Sequence, residues 1–361
     1  MRIRTHISKQ VIAIAALLLA FGLSSCGEVS LNDPMLGKEL VHTIFYVKRT
    51  GSGPSSTSQI LRINADGTNP MVIADDAYLT SGPRNGKVVY FSPKTGKDVY
   101  VILCNADGSD KIIIDSGAYI AAELSPKADF VILTTEERPV SGGGRIDGVI
   151  YRVDIGENTI GPFVKFIHKK LEHDICPILS PNGKSAAFFT DGNGGGYNDE
   201  LTIVDTKPGD TGVLRAFVDI GFGEHITWSA DASNILIYNP TKKLVTIPMP
   251  IGSPSIISFP QNWKVEDAIF SAMPDTILAS ISTPSSQTAF YEVNSSFSST
   301  PTPIFSNPGK GVIFSGYSTD RKYILYTSQL QTPARSMKVY DRFLQKDTVL
   351  DTGVNQCFFA K

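Results

Sequence analysis

An all-β fold of four-stranded units closed into a ring, a seven-bladed β-propeller, is what this sequence predicts. Three observations carry that expectation. A phrase made of a short apolar strand, a Ser-Pro-Asn-Gly-Lys-like turn and a second apolar strand recurs every 42 to 55 residues, most fully at Ile178 to Lys184 followed by Ser185 to Thr190. A period of that size marks a propeller or another repeat array. The 31 glycines, 22 prolines and 13 tyrosines, with few long helix-forming windows, favour short strands joined by tight turns. The C-terminal run Asn355 to Ala360 reads as the one strand that the first repeat lacks.

From the start of the chain, Arg2, Arg4 and Lys9 precede an apolar run from Val11 to Leu23. This charged-then-apolar layout is that of a secretory signal over residues 1–25, too short for a comfortable membrane span. It ends Leu23-Ser24-Ser25-Cys26-Gly27, which resembles the lipobox of bacterial lipoproteins. The resemblance implies removal of the signal and lipidation of Cys26, whose acyl chains would hold the protein to a membrane without a spanning helix. An ordinary signal peptide with a chance cysteine is the rival reading. Gly27, rather than Asp, follows the cysteine; by resemblance to the sorting pattern of enteric lipoproteins this implies the outer membrane, facing the periplasm or the cell surface. Residues 26–41 mix Ser, Asn, Asp, Pro and Gly and read as a tether to a propeller over 42–361.

With the serine position of the turn as anchor, units fall at Gly82, Ser125, Ser180, Ser229, Ser271 and Ser318. Each anchor precedes a strand: Lys87 to Phe91, Phe130 to Thr134, Ser185 to Phe189, Asn234 to Tyr238, Thr276 to Ile281 and Tyr323 to Thr327. A third strand follows, such as Val99 to Leu103. A polar turn such as Asn105-Ala106-Asp107-Gly108-Ser109 then leads into a fourth, here Lys111 to Ile114. Asp-Gly suits such hairpins because glycine accepts a positive φ. The first unit has three strands, His42 to Val47, Gln59 to Ile63 and Pro70 to Ile73; the C-terminal run supplies the fourth and closes the ring, which removes open sheet edges. Six blades is the rival count.

Ser180-Pro181-Asn182-Gly183-Lys184-Ser185-Ala186-Ala187-Phe188 and Asn105 to Ser109 resemble the repeat of TolB-type, WD-repeat-like propellers. The resemblance implies a periplasmic or surface propeller that works by binding protein. TolB's additional N-terminal α/β domain has no room in the tether, so its own partners are not implied.

Composition narrows the function classes. With 33 basic and 35 acidic residues the chain has no electrostatic footprint for nucleic acid. Cys104, Cys176 and Cys357 read as buried strand residues, a disulfide between two of them being the alternative. Inner strands of a propeller converge on an axial channel, so His173 and Asp174, Glu224 and His225, and Glu266 and Asp267, each at the start of an inner strand, would share one mouth. Such carboxylates would form a cation site or a socket for a basic peptide segment. The plainer expectation is that residues at strand starts are solvated or bond local backbone. Oligogalacturonate lyases have similar repeats and a histidine-rich metal centre, but only two histidines stand here where a catalytic metal needs three protein ligands. Prolyl-peptidase-type hydrolysis is not expected, because no α/β-hydrolase domain with a Gly-x-Ser-x-Gly elbow follows the repeats. The loops Asp191 to Glu200 and Glu136 to Asp147 read as expanded hairpins forming a rim. The aromatic residues read as core, with Tyr197 and Trp263 the two that could offer a carbohydrate platform.

The sequence therefore predicts a non-enzymatic, lipid-anchored propeller without metal or cofactor, binding an envelope protein partner or a glycan. A metal-dependent polysaccharide lyase and a glycan-binding surface lipoprotein are the alternatives.

Overall fold

The structure, a computed structural model, describes residues 42–51, 56–96, 98–135, 138–139, 145–146, 149–156, 160–165, 177–191, 199–207, 213–217, 225–239, 243–250, 252–259, 262–271, 273, 276–284, 287–294, 302–329 and 335–361. Seven sheets form the blades of a ring. In blade 1, Val354–Phe359 is the inner strand, followed outward by Thr43–Thr50, Thr57–Asn64 and Met71–Asp75. The C-terminal strand thus closes the ring, pairing antiparallel with the first strand from Ile44↔Phe359 to Lys48↔Val354.

Blade 2 comprises Lys87–Pro93, Val99–Asn105 and Ile112–Gly117; its inner position is held by a segment that pairs with the first of these at two isolated bridges, Tyr78↔Phe91 and Arg84↔Lys87. The inner strands of blades 3 to 7 are Tyr119–Leu124, Ile178–Leu179, His225–Trp228, Lys264–Phe270 and Lys310–Tyr317, each starting a four-stranded antiparallel sheet.

Alternation along the strands builds the core. Successive side chains point to opposite sheet faces, so Ile44 and Tyr46 pack against blade 7 while Phe45 and Val47 pack against blade 2. Seven hydrophobic clusters result, one at each junction between neighbouring blades. Each is a small core of its own, which is how a chain of this length avoids a single oversized one.

The recurring turn has a specific bonding pattern. Ser180 Oγ accepts from the Ser185 amide at 3.0 Å and donates to Asn182 Oδ1 at 2.8 Å, while Asn182 Oδ1 accepts from the Lys184 amide at 3.0 Å. Gly183 takes φ +69 at the left-handed position. The degenerate turn at Ser229 keeps the same bonds: Asn234 N donates to Ser229 Oγ at 2.9 Å and Ser229 Oγ donates to Asp231 Oδ1 at 2.6 Å. There Ala232 occupies the left-handed position at φ +61. In both turns the serine and an Asn or Asp two residues on supply the bonds, and glycine, where present, relieves the backbone strain. Blade 2 has Gly82 at the serine position because a Cβ there would sit 2.9 Å from the Cβ of Phe358, at the end of the closing strand.

Phe359 is 2% exposed in the junction between blades 7 and 1. Phe359→Ala is expected to cost about 3–5 kcal/mol, read as a lower urea midpoint. An unchanged midpoint would mean that the closing strand adds little to the ring.

Candidate functional site

Turns joining first to second and third to fourth strands lie on one face of the ring, because Tyr323 pairs with Asp341 at adjacent turn bases. The starts of the inner strands lie on the opposite face, where the candidate mouth residues fall. The structure brings three of the six together. Nδ1 of His225, at the start of the blade 5 inner strand, lies 3.2 Å from Oδ1 of Asp267 on that of blade 6. Glu266 adjoins them. His173, Asp174 and Glu224, like the lipidation candidate Cys26, lie outside the described residues.

A β-bulge between Val265 and Asp267 determines how the acidic pair is used. An extra residue breaks the strict alternation of a strand, and both carboxylates reach the inner strand of blade 7. The Phe314 amide donates to Asp267 Oδ2 at 2.6 Å, and the Val312 amide donates to Glu266 Oε2 at 3.2 Å. The receiving strand is itself irregular, shifting register between Lys310 and Ile313 and between Phe314 and Gly316. Asp267 Oδ1 also accepts from the Ala268 amide at 2.8 Å. Glu266 Oε1 accepts from Ser282 Oγ at 2.5 Å and from Thr288 Oγ1 at 3.3 Å. A carboxylate has about four acceptor positions, so most of each is committed to neighbouring strands.

Asp267 is 4% exposed, whereas the His225 side chain keeps 35% of its surface. His225 is therefore far more open to solvent or a partner than Asp267. Burial disfavours its charged form, but the hydrogen bond to Asp267 and the charge of that carboxylate outweigh it and raise the imidazole pKa above its ordinary value. Among the described residues, no three His, Cys, Asp or Glu side chains are grouped to hold a metal ion.

The expanded hairpin in blade 3 carries its own short ladder, Arg138–Pro139 against Arg145–Ile146. In blade 4 the loop base is an Asp191↔Asp199 pair, its tip lying outside the described residues with Tyr197. Trp263 packs 5.5 Å from Tyr291 against the junction of blades 5 and 6, a core position. Cys104 and Cys357 are buried free thiols, each pushed up to about 12 by burial and so unreactive. Sequence reading missed a charged pair on the opposite face. Arg84 Nη2 and Glu123 Oε1 are 3.6 Å apart, and burial raises the Glu123 pKa against the pull of Arg84. The available signal was Arg84 itself, standing where the repeat turn carries Asn or Asp.

No family model and no curated protein matches the chain. Solved structures do match by fold. The β-propeller domain of the Trilobed protease from Pyrococcus furiosus is 11% identical, with 86% of this chain and 94% of that one covered and a TM-score of 0.59. The periplasmic gluconolactonase of Pseudomonas aeruginosa is 12% identical, with 88% and 99% covered and a TM-score of 0.53. TolB from Acinetobacter baumannii is also a structural neighbour, 20% identical over 68% of this chain and 61% of that one, with a TM-score of 0.44. This chain spans about three-fifths of the length of TolB and about half that of acylaminoacyl peptidase from Pyrococcus horikoshii, 51% of which is covered. At these identities the likeness establishes the fold alone.

A histidine whose pKa is raised by folding adds stability that is fully present below its unfolded pKa and is lost as pH rises through the folded one. The melting-temperature gap between wild type and His225→Gln should therefore be wider at about pH 5.5 than at about pH 8.5, by on the order of 1–2 °C. Asp267→Asn should abolish that pH dependence and, with two backbone donors facing a neutral group, cost about 3 kcal/mol. A gap that does not change with pH would show that His225 and Asp267 are uncoupled.

Proposed function

We propose that the protein is a non-enzymatic binding or assembly module of the bacterial envelope, held to a membrane through a lipid on Cys26. The observation that carries this reading is the commitment of the acidic mouth. Glu266 and Asp267 accept from amides and hydroxyls of neighbouring strands. A general base must be free to take a proton from substrate, whereas a recognition surface needs groups held still. His225 is held in this way, with part of its ring open to a partner, on the face that also carries the blade 3 hairpin. Loops and strand ends on a rigid scaffold are where recognition residues collect. The lipobox-like Leu23 to Gly27 supports the anchor and an envelope location. The structural neighbours include a peptidase and a gluconolactonase, whose chemistry stays with those proteins.

A photo-cross-linking residue placed at His225 in the full chain should yield a reproducible protein adduct in the native envelope. The same residue at Asn69, on the opposite face, should yield none. Absence of any adduct from His225, together with release of product from an envelope polysaccharide, would overturn the binding reading in favour of a lyase. Cys26→Ala should move the protein from the membrane to the soluble fraction; retention in the membrane would overturn the anchor.

A further inference from the structure

The hairpin between the third and fourth strands of blade 7 departs from those of blades 1 and 2. Register aligns Asp341 with Asn64 of blade 1 and Asn105 of blade 2, since each pairs with the first residue of its second strand or with Thr43. The residue after each donates its amide alike: Ala65 to the His42 carbonyl, Ala106 to the Gly86 carbonyl and Arg342 to the Lys322 carbonyl. Phe343 and Leu344 therefore stand where the other two blades have Asp66-Gly67 and Asp107-Gly108. They are 75% and 71% exposed, more than any other large hydrophobic side chain among the described residues. The tip is held in place, because Asp341 Oδ1 accepts from the amides of both Phe343 and Leu344 at 2.9 Å.

The place where the ring begins gives this tip an occupant. His42, the first described residue, donates or accepts at Nε2 with Asp320 Oδ2 at 2.8 Å, and its ring meets that of Tyr323 edge-on at 5.1 Å. Asp320 belongs to the first turn of blade 7. The next residue, Arg321, offers its carbonyl to Arg342 Nη1 at 3.4 Å, at the base of the Phe343–Leu344 tip. Chain arriving from Cys26 thus joins the ring on the face, and beside the blade, that carries the apolar tip. The 15 residues from Gly27 to Val41 span at most about 50 Å. Turning the other face to the membrane would make them first cross a wall of strands roughly 25 Å high. Exposed Arg321 and Lys346 flank the tip, a charge that suits anionic headgroups.

We infer that this face lies against the bilayer holding the lipid anchor, with Phe343 and Leu344 inserted at the headgroup–acyl boundary. The inference rests on the reading of Cys26 as lipidated. It leaves the His225 face turned away from the membrane toward a partner. Basic residues around an aromatic–aliphatic pair are the chemistry of an interfacial contact, which sits about 5–10 Å deep.

The test uses the full lipidated chain in vesicles of phosphatidylethanolamine and phosphatidylglycerol. One form carries an environment-sensitive fluorophore on Leu344→Cys, the other on Thr95→Cys in a turn of the opposite face. A lipid-phase quencher should act on the label at 344 on the order of fivefold more strongly than on that at 95. The same thermal melting for both labelled forms would confirm that the fold is kept. Flotation with the vesicles but equal quenching at the two sites would overturn the inference and leave the anchor standing. Failure to float would overturn the anchor and the inference with it. A blue shift of the 344 label that appears without lipid, on raising protein concentration, would assign the patch to a second copy of the chain and overturn the bilayer contact.

Discussion

The inner strand of each blade has one edge with no strand beside it, and its amides there must find partners elsewhere. Much of this ring follows from how that need is met. Side chains of adjacent blades bond across the channel wall. Thr80 Oγ1 accepts from the Ala122 amide at 2.9 Å and donates to its carbonyl at 2.8 Å, linking blades 2 and 3. Trp228 Nε1 donates to the Ile178 carbonyl at 2.9 Å between blades 5 and 4. Glu266 and Asp267 do the same between blades 6 and 7, and Ser315 Oγ meets Cys357 Sγ at 3.1 Å between blades 7 and 1. Hydrophobic clusters hold the blades together further out, where area is large and direction matters little. Near the axis the blades narrow to inner strands, and directional bonds fix their relative height.

This division explains what could be read from the chain. Strands and turns were legible because they are local: an apolar alternation, a serine with an Asn or Asp two residues on, an Asp-Gly. The closing strand was legible for a different reason, that the first unit was one strand short and Asn355 to Ala360 had the right character. The use of Glu266 and Asp267 was not legible, since it depends on a bulge at Val265 and on irregularity in a strand 45 residues later. A period-2 reading places those neighbours on opposite sides and gives no hint that both serve one amide-bearing edge. Gly82 stands among serine anchors with no reason in the local sequence; it marks the approach of Phe358, far away in sequence and adjacent only once the ring is shut.

Partly buried polar networks reinforce the blades next to the seam. Arg342 Nη2 donates to both oxygens of Glu292 at 2.9 and 3.1 Å, and Tyr317 OH donates to the same carboxylate at 3.1 Å, tying blade 7 to blade 6. On the other side Lys48 Nζ donates to Asp351 at 2.7 Å, with Tyr46 OH donating at 3.1 Å, tying blade 1 to blade 7. Within blade 7, Lys338 is 3% exposed, and its ammonium donates to the Pro308 carbonyl at 2.8 Å. Removing one partner from such a group leaves an uncompensated buried charge, which costs far more than the pair contributes. Blade 7 is thus polar-bonded on both flanks and internally, next to blade 1, where strands from opposite ends of the chain close the ring.

That concentration bears on the two faces. A blade that meets a membrane takes lateral load from the anchor, and a seam is where a ring held by non-covalent pairing would part first. The chain enters at the seam, against Asp320 and Tyr323, and the exposed Phe343–Leu344 tip rises from the same blade. Bidentate pairing of Arg342, the residue just before that tip, with Glu292 carries any force on the tip into blade 6 instead of along the hairpin alone. On the opposite face His225 rests on one carboxylate, itself bonded to blade 7, and stays partly open. On the proposed reading one face is held and the other reached, and the polar bonds of blade 7 stand beside the closing blade between them.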